Sequence, residues 1–287
     1  MPHDILNRYA AMALPATDEA VRLSACLQLG FIPADAACIA QAWHAQAVRT
    51  GNTTDWPDYP QDFGLRPWPR RDAFPACPRQ LGLYAVLPDA AWVGRMARAG
   101  VPTVQLRFKS EDAQAIAREV AAAVSAVQGT PALLFINDHW QAAIHAGAYG
   151  VHLGQEDLDL LQPADLDAIR NAGLRLGVST HGYAEMLRAD RVSPSYIALG
   201  AVFPTTLKRM ATAPQGTARL AAYARLLRDY PLVAIGGIDT ERMPQVLASG
   251  VGSIGVVRAL TGAADPEQAA AALGQTIQNF LAAAQKP

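Results

Sequence analysis

Eight short apolar runs, each followed by an alanine-rich helical stretch and a glycine, fill the sequence after residue 80. They are residues 83–87, 103–108, 132–136, 150–153, 175–179, 196–199, 232–235 and 253–257. Strand-length runs that alternate with helical stretches are typical of parallel sheets with crossover helices. The sequence therefore predicts an α/β fold, a (β/α)8 TIM barrel over residues 81–287. A doubly wound open sheet is the alternative, and the number of runs favours closure.

The first 50 residues predict a small helical extension. Thr17 is a candidate N-cap for a helix that stops at Gly30, and Asp35 is a candidate N-cap for a second helix that ends near Gly51. The role of the first 80 residues is left open by the sequence: a dimer-forming arm, a remnant of a fused domain and a mobile tail are alternatives.

Residues 51–80 are dense in proline and aromatic residues and show neither a helical nor a strand period. This composition predicts a connecting segment between the extension and the barrel. Trp43, Trp56 and Trp68 indicate that part of the region packs, because exposed tryptophans are uncommon.

Charge and composition exclude some classes of function. The 287 residues include 24 basic and 25 acidic residues, a formal net charge of −1, so no nucleic-acid or membrane surface is indicated. No stretch approaches the roughly 20 apolar residues that span a bilayer, and the start lacks the features of a signal peptide. We expect a cytoplasmic enzyme. The three cysteines are odd in number and widely spaced, which indicates ordinary thiols.

The second apolar run carries a polar face. A strand period of two places Gln105, Arg107 and Lys109 on one face, opposite Val104, Leu106 and Phe108. Inside a barrel these polar groups need a partner, and an anionic ligand would supply one. The alternatives are an edge strand with a solvated face, or Arg107 paired with an internal carboxylate.

Acidic residues follow the third and fourth runs. Asp138 comes directly after the third, and Glu156 and Asp157 follow the fourth, so carboxylates are expected at the ends of adjacent strands. Mg²⁺ commonly takes one or two protein carboxylates together with phosphate oxygens and water. The alternative for each aspartate is a helix N-cap.

Later loops offer groups that bind phosphate. Ser179 ends the fifth run, where it could equally be an N-cap, and Thr205, Thr206 and Lys208 follow the sixth. Gly236 and Gly237 follow the seventh run and Arg258 follows the eighth; the loops after strands seven and eight are the usual phosphate site of such barrels. A simple tight turn is the alternative for the glycine pair. Together these groups indicate two phosphorylated ligands.

Six motifs, in this order, resemble the thiamine phosphate synthase family over about residues 81–280. They are QLRFK at 105–109, IND at 136–138, VHLGQED at 151–157, GVSTH at 177–181, VFPT at 202–205 with Lys208, and IGGI at 235–238.

The resemblance implies a site, a cofactor and a reaction. Asp138 and Asp157 would hold magnesium, and Thr205, Arg258 and the loop of Gly237 would hold a thiazole phosphate. Catalysis would depend on Arg107, Lys109, Ser179 and Lys208, and pyrophosphate would leave before the thiazole nitrogen attacks a pyrimidine carbocation. The groups implied for hydroxymethylpyrimidine diphosphate are Gln105, Arg107, Lys109, Asn137, Ser179 and Lys208.

The sequence departs from the family pattern at three positions. Leu207 stands where a threonine usually precedes the lysine, and Thr206 lies one place early. Phe108 replaces a common acidic residue but should face outward. Arg258 replaces a common serine and could bind the thiazole phosphate bidentately.

Two other functions are compatible with parts of the pattern. The sister family of thiazole tautomerases shares the barrel and the glycine pair, and His181 would be its acid or base. A non-catalytic phosphate-binding barrel that acts through its extension is the other alternative. We expect small phosphorylated substrates, no nucleic-acid or membrane partner, and a homodimer as one arrangement left open.

Overall fold

Eight parallel strands close into a barrel in the computed structural model, which describes residues 19–205 and 213–284. Pairing of the first strand with the eighth, with Gly82 opposite Ser253 and Ala85 opposite Val256, closes the sheet. This confirms the predicted (β/α)8 barrel and excludes the open doubly wound sheet. The strands are β1 (Gly82–Leu87), β2 (Thr103–Leu106), β3 (Leu133–Asn137), β4 (Gly150–Leu153), β5 (Arg175–Thr180), β6 (Tyr196–Leu199), β7 (Leu232–Ile235) and β8 (Ser253–Val256).

Twelve α-helices lie in the described ranges, and ten of them belong to the barrel. In chain order they are α1 (Glu19–Gln28), α2 (Pro33–Thr50), α3 (Ala90–Arg98), α4 (Ala113–Ala126), α5 (Trp140–Ala146), α6 (Gln155–Leu160), α7 (Pro163–Asn171), α8 (Tyr183–Arg191), α9 (Gly216–Leu226), α10 (Met243–Leu247), α11 (Arg258–Thr261) and α12 (Pro266–Ala284). In the part of the chain that the structure describes, no helix is both long and apolar enough to cross a membrane.

The second strand is shorter than predicted. It ends at Leu106 instead of Phe108, because its neighbour β1 ends at Leu87, the residue paired with Leu106. The N–H of Arg107 still donates to the Leu87 carbonyl at 2.7 Å, after which the chain enters the loop. The other predicted strand limits agree with the structure to within one residue.

Strand alternation separates two cores. Residues such as Val104, Leu134 and Ile254 face outward and join the large apolar core beneath the helices. The inward positions form a second cluster in the barrel interior, in which the aromatic rings of Tyr84, Phe135 and Tyr196 pack together. The interior is thus filled at its base, and the polar inward positions lie towards the carboxyl ends of the strands.

The two predicted N-terminal helices are present as α1 and α2. Gly51 ends α2 in a left-handed conformation, with φ of 72°, as its position predicts. Asp35 is not the N-cap: Ile32 holds that position, Pro33 starts the helix, and Asp35 lies in the first turn. The other predicted cap, Thr17, lies outside the described residues.

Residues 51–80 pack against the barrel helix α8. The ring of Phe63 stacks on Tyr183 with centroids 5.2 Å apart, and the Trp56 indole N–H donates to the Tyr183 hydroxyl at 3.4 Å. Trp43 is fully buried and Trp56 is nearly so, as expected, whereas Trp68 is 37% exposed although its ring lies edge-on to Tyr230. The domain limits at residues 50 and 80 stay predictions.

The cysteines are free thiols, as expected. Burial raises the pKa of both Cys26 and Cys77 to about 12, which keeps these groups protonated near neutral pH.

A buried ion pair joins the connecting segment to the end of α8. Arg70 donates to the Asp190 carboxylate at 2.6 Å, and both side chains are almost fully buried. Asp190 also accepts the hydroxyl of Tyr230 at 2.8 Å and the backbone N–H of Arg66 at 3.1 Å. Removal of one partner of such a buried ion pair strongly destabilises the fold, because the other charge stays buried without a partner.

We therefore predict that Asp190→Ala lowers the free energy of unfolding by about 3–5 kcal/mol, because it strands the Arg70 guanidinium in the interior. Urea denaturation measures this. The control is Glu267→Ala, which breaks an exposed pair with Arg95 (2.7 Å) and should leave the urea midpoint unchanged. Equal effects of the two substitutions would contradict the prediction.

Candidate functional site

A cavity of about 940 Å³ opens at the barrel mouth, the end formed by the carboxyl ends of the strands. Parallel barrels place their strand-to-helix loops at this end. Every described residue of the predicted site lines it: Gln105, Arg107, Lys109, Asn137, Asp138, Asp157, Ser179, Thr205, Gly237 and Arg258. Lys208, with Thr206 and Leu207, lies outside the described residues. The roles of all these residues stay predictions.

The polar face of the second run is divided between strand and loop. Gln105 is a buried residue of β2, whereas Arg107 and Lys109 follow the strand and extend from the loop into the mouth. Phe108 packs against the outer apolar core, as its expected outward orientation requires. The amide is therefore part of the barrel floor, and the two cations lie above it.

Asp138 and Asp157 meet at the rim of the cavity. Asp138 follows β3 with φ of 64°, a left-handed conformation that aspartate tolerates, and it accepts the Lys109 ammonium at 2.6 Å. Asp157 is not the helix N-cap that was the alternative: Gly154 holds that position, and the Asp157 carboxylate in the first turn accepts the Gly154 N–H at 3.0 Å. Burial first, and then the neighbouring Asp138 charge, raise the pKa of Asp157.

The Asp138 charge raises the pKa of Asp157 by more than Lys109 lowers it, so the rim carries negative charge that Lys109 offsets only in part. A cation at this rim would favour the ionised form of Asp157. Carboxylate oxygens are the donors that Mg²⁺ takes in proteins. The pair therefore fits a divalent cation that would complete its coordination with ligand phosphate and water.

A continuous chain of hydrogen bonds crosses the cavity floor. It runs from Asn137 through Gln105, Tyr84, Tyr196 and His152 to Ser179. The donor–acceptor distances, in that order, are 2.8, 2.9, 2.6, 2.6 and 2.7 Å. It joins strands on opposite sides of the barrel.

Counting protons fixes the direction of this chain. The Tyr84 hydroxyl donates to Gln105, so the proton between the two tyrosines belongs to Tyr196. His152 must then donate from Nδ1 to Tyr196. Burial lowers the pKa of His152 to about 4, so the imidazole is neutral near pH 7 and its Nε2 accepts from the Ser179 hydroxyl.

Three members of the floor were missed by the sequence prediction: Tyr84, His152 and Tyr196. Their signal was the period-two alternation, since His152 stands between the outward-facing Val151 and Leu153. Tyr196 also explains a nearby glycine. A Cβ at Gly177 would overlap the Tyr196 ring, so the large side chain needs a glycine across from it.

The glycine pair after β7 forms a tight junction with the loop after β6. Gly236 and Gly237 have φ of 106° and 64°, and a Cβ on Gly237 would lie 2.6 Å from the Pro204 carbonyl. Arg242 donates to the Gly237 carbonyl at 2.7 Å. The exposed Arg258 starts α11 at the same side of the mouth. This side presents backbone groups, Arg242 and Arg258, together with the Asp239 carboxylate 3.6 Å from Arg242, and it follows strands β6 to β8, whereas the Asp138–Asp157 rim follows β3 and β4.

His181 also lines the cavity. Its Nδ1 lies 2.7 Å from Glu185 Oε2, and the same oxygen accepts the backbone N–H of His181 at 2.8 Å. Glu185 belongs to α8, so the position of this helix sets the orientation of the imidazole.

Comparison with known proteins identifies similar chains. The family model described as thiamine monophosphate synthase matches residues 83–260. The thiamine-phosphate synthase of Neisseria meningitidis serogroup B is 57% identical over 194 residues, which cover 68% of this chain and 93% of that protein. The thiamine-phosphate synthase of Salmonella paratyphi B is 54% identical over 200 residues, covering 70% and 93%.

A solved structure, thiamine phosphate pyrophosphorylase from Pyrococcus furiosus, is similar in fold and sequence. It has a TM-score of 0.62 and 28% identity, and the match covers 71% of this chain and 98% of that one.

The buried His152 predicts a pH dependence of stability. Its pKa of about 4 in the folded protein lies below the ordinary 6.5, so the unfolded chain binds more protons between these values. Stability is fully retained above pH 6.5 and falls as the pH drops towards 4, by up to about 3 kcal/mol. Urea denaturation at several pH values measures it. His152→Gln should lose this slope, the exposed control His145→Gln should keep it, and identical slopes in both would disprove the assignment.

Proposed function

The chain belongs to the thiamine monophosphate synthase family, and from this premise we propose how the barrel mouth performs its reaction. The chain is a transferase of thiamine biosynthesis that acts on small phosphorylated molecules. In the proposed reaction the carbon–oxygen bond of hydroxymethylpyrimidine diphosphate breaks and pyrophosphate leaves. The nitrogen of hydroxyethylthiazole phosphate, or of its carboxylate form, then bonds to the pyrimidine methylene carbon. The relatives are synthases, so they support this reaction over the tautomerase alternative.

The observation that carries this proposal is the separation of charges around the mouth. Two carboxylates share one rim with Lys109 and Arg107, a neutral polar floor lies below them, and a second anion-binding side surrounds Gly237. Two anionic ligands that must meet need separate sites of this kind.

The carboxylate rim supports binding of the diphosphate with magnesium. Asp138 and Asp157 would hold the ion, which would stabilise the charge that develops on the departing pyrophosphate. Arg107 and Lys109 lie close enough to the rim to bind diphosphate oxygens directly. Lys208 is proposed for the same role from its sequence position alone.

The floor supports binding of the pyrimidine. The Ser179 hydroxyl donates its proton to His152, so its oxygen is left to accept a hydrogen bond from a ligand. The Asn137 side-chain carbonyl accepts from Gln105, so its N–H groups are left to donate to a ligand. An aminopyrimidine carries both an exocyclic donor and ring-nitrogen acceptors. Because His152 is neutral, it does not repel the positive charge that develops on the pyrimidine.

The opposite side supports binding of the thiazole phosphate. Thr205 and Gly237 line this side of the cavity, and Arg258 can supply a bidentate cation where the family commonly has serine. A homodimer and a cytoplasmic location stay predictions of the sequence.

The first test concerns the metal. We expect Asp157→Asn to reduce thiamine phosphate formation at least about a hundredfold, because the amide retains an acceptor for Gly154 but loses the charge that holds magnesium. Mass spectrometry of the product, with magnesium or a chelator, measures the effect. The matched control is Asp159→Asn in the same helix, whose exposed carboxylate pairs with Arg188 and should be dispensable. Undiminished product from wild type in chelator would overturn the metal role.

The second test concerns the thiazole phosphate. Arg258→Ser should raise KM for this substrate about tenfold, because a charge-assisted hydrogen bond is lost. KM for the pyrimidine diphosphate should not change, since that substrate lies on the other side of the mouth. Steady-state kinetics with each substrate varied in turn distinguish the two. A rise in both constants, or in neither, would remove Arg258 from the proposed site.

A further inference from the structure

The extension, a name used from here on for the helical extension together with the connecting segment and described over residues 19–80, lies outside the region matched by the family model, which begins at residue 83. It is nevertheless closely joined to the catalytic domain. Its contacts concentrate on one barrel helix, α8, which directly follows the loop after β5. The loop carries His181 and the carboxyl end of β5 carries Ser179, and both residues line the cavity.

Asp35 provides the N-terminal cap that α8 lacks. Gly182 is the N-cap residue of α8 and has no side chain to accept the first helical N–H groups. The Asp35 carboxylate, which is 97% buried, accepts the Ala184 N–H at 2.9 Å. A Cβ on Gly182 would overlap that carboxylate. An acid from the extension therefore occupies the space of a normal capping side chain and offsets the positive end of the helix dipole.

The same extension holds the rest of the helix. Phe63 and Phe31 pack on the Tyr183 ring in the first turn, with centroids 5.2 and 6.2 Å away. At the last turn, Arg70 binds the Asp190 carboxylate, and Arg66 donates to the Asp190 and Arg191 carbonyls at 3.0 and 3.1 Å. Both ends of α8 are thus fixed by residues that precede the barrel.

The first turn of α8 is directly coupled to the cavity. Glu185 accepts both the backbone N–H and the imidazole of His181, and only His181 and Gly182 lie between β5 and the helix. A displacement of this turn would move His181 and the adjacent end of β5. The loop after β6 is reached less directly: Tyr183 packs edge-on against Tyr223 of α9, whose hydroxyl donates to Gln215 in that loop at 2.9 Å.

We propose that Asp35 is a positioning residue for the pyrimidine diphosphate side of the site, and that the extension acts as an intramolecular brace for α8. This inference rests on the proposed function, because it assigns the braced loop to one of the two substrates. It predicts that a substitution outside the barrel changes the binding of that substrate selectively.

The experiment compares Asp35→Ala with the double variant Asp35→Ala/Gly182→Asp, which returns a capping carboxylate to α8 from its own N-cap. Gly182 has φ of 176° and ψ of −174°, an extended conformation open to any residue, and removal of Asp35 empties the space that the new side chain needs. The matched control is Asp58→Ala, at an exposed position of the extension.

Asp35→Ala should raise KM for the pyrimidine diphosphate about tenfold and leave KM for the thiazole phosphate unchanged. The double variant should return the first constant to within about threefold of wild type, and Asp58→Ala should match wild type. A purely structural role would lower the active fraction, and therefore kcat, without changing either KM. That result, or a double variant no better than Asp35→Ala, would overturn the proposal.

Hydrogen exchange of the amides at residues 183–186 gives a readout independent of activity. It should accelerate in Asp35→Ala and slow again in the double variant. If Asp35→Ala does not fold and the double variant does, the cap is supported; if neither folds, capping is not the role of Asp35. A wild-type chain that makes no thiamine phosphate while these exchange rates behave as expected would refute the proposed function and leave the brace intact.

Discussion

Pairing of β1 with β8 is the constraint on which the rest of the structure depends. Once the sheet is closed, every strand has one face towards the helices and one towards a narrow interior, and no strand edge is left to pair. The outer face is uniformly apolar. The interior is filled by aromatic rings at its base, so the polar inward residues of β2, β3, β4 and β5 lie above them, where they must satisfy one another.

The hydrogen-bond chain from Asn137 to Ser179 is the consequence of that requirement. Each buried donor meets an acceptor, which removes the penalty for burying polar groups and holds the side chains in single orientations. The chain contains no formal charge, because His152 is neutral in the buried floor. Charge is found instead at the rim, where Lys109, Asp138 and Asp157 are partly exposed and a hydrated ion and phosphates can reach them.

The extension gives the barrel an additional layer on one side only. Its aromatic residues bury Tyr183, and its arginines and Asp35 satisfy the two ends of α8. The loop that follows β5 is therefore fixed from outside the barrel, whereas the loops around Gly237 are fixed mainly by contacts among β6, β7 and α10, such as the bond from Arg242 to Gly237.

The sequence by itself determined eight strand–helix units of a parallel α/β sheet, because strand-length apolar runs alternate with helical stretches, whereas closure of that sheet was decided by the pairing of β1 with β8. It also placed the site residues that end strands, such as Asp138 and Gly237, because the ends of parallel strands meet at one edge. Tyr84, His152 and Tyr196 required the tertiary structure, since each joins the floor through a partner from a different strand. So did Asp35: its sequence position indicated a cap for its own helix, but Pro33 starts that helix two residues earlier. Its carboxylate instead caps α8, 149 residues further along the chain. The local sequence pattern indicates which polar side chains need hydrogen-bond partners. Which partner lies close enough depends on the tertiary structure, because the partners come from distant parts of the chain.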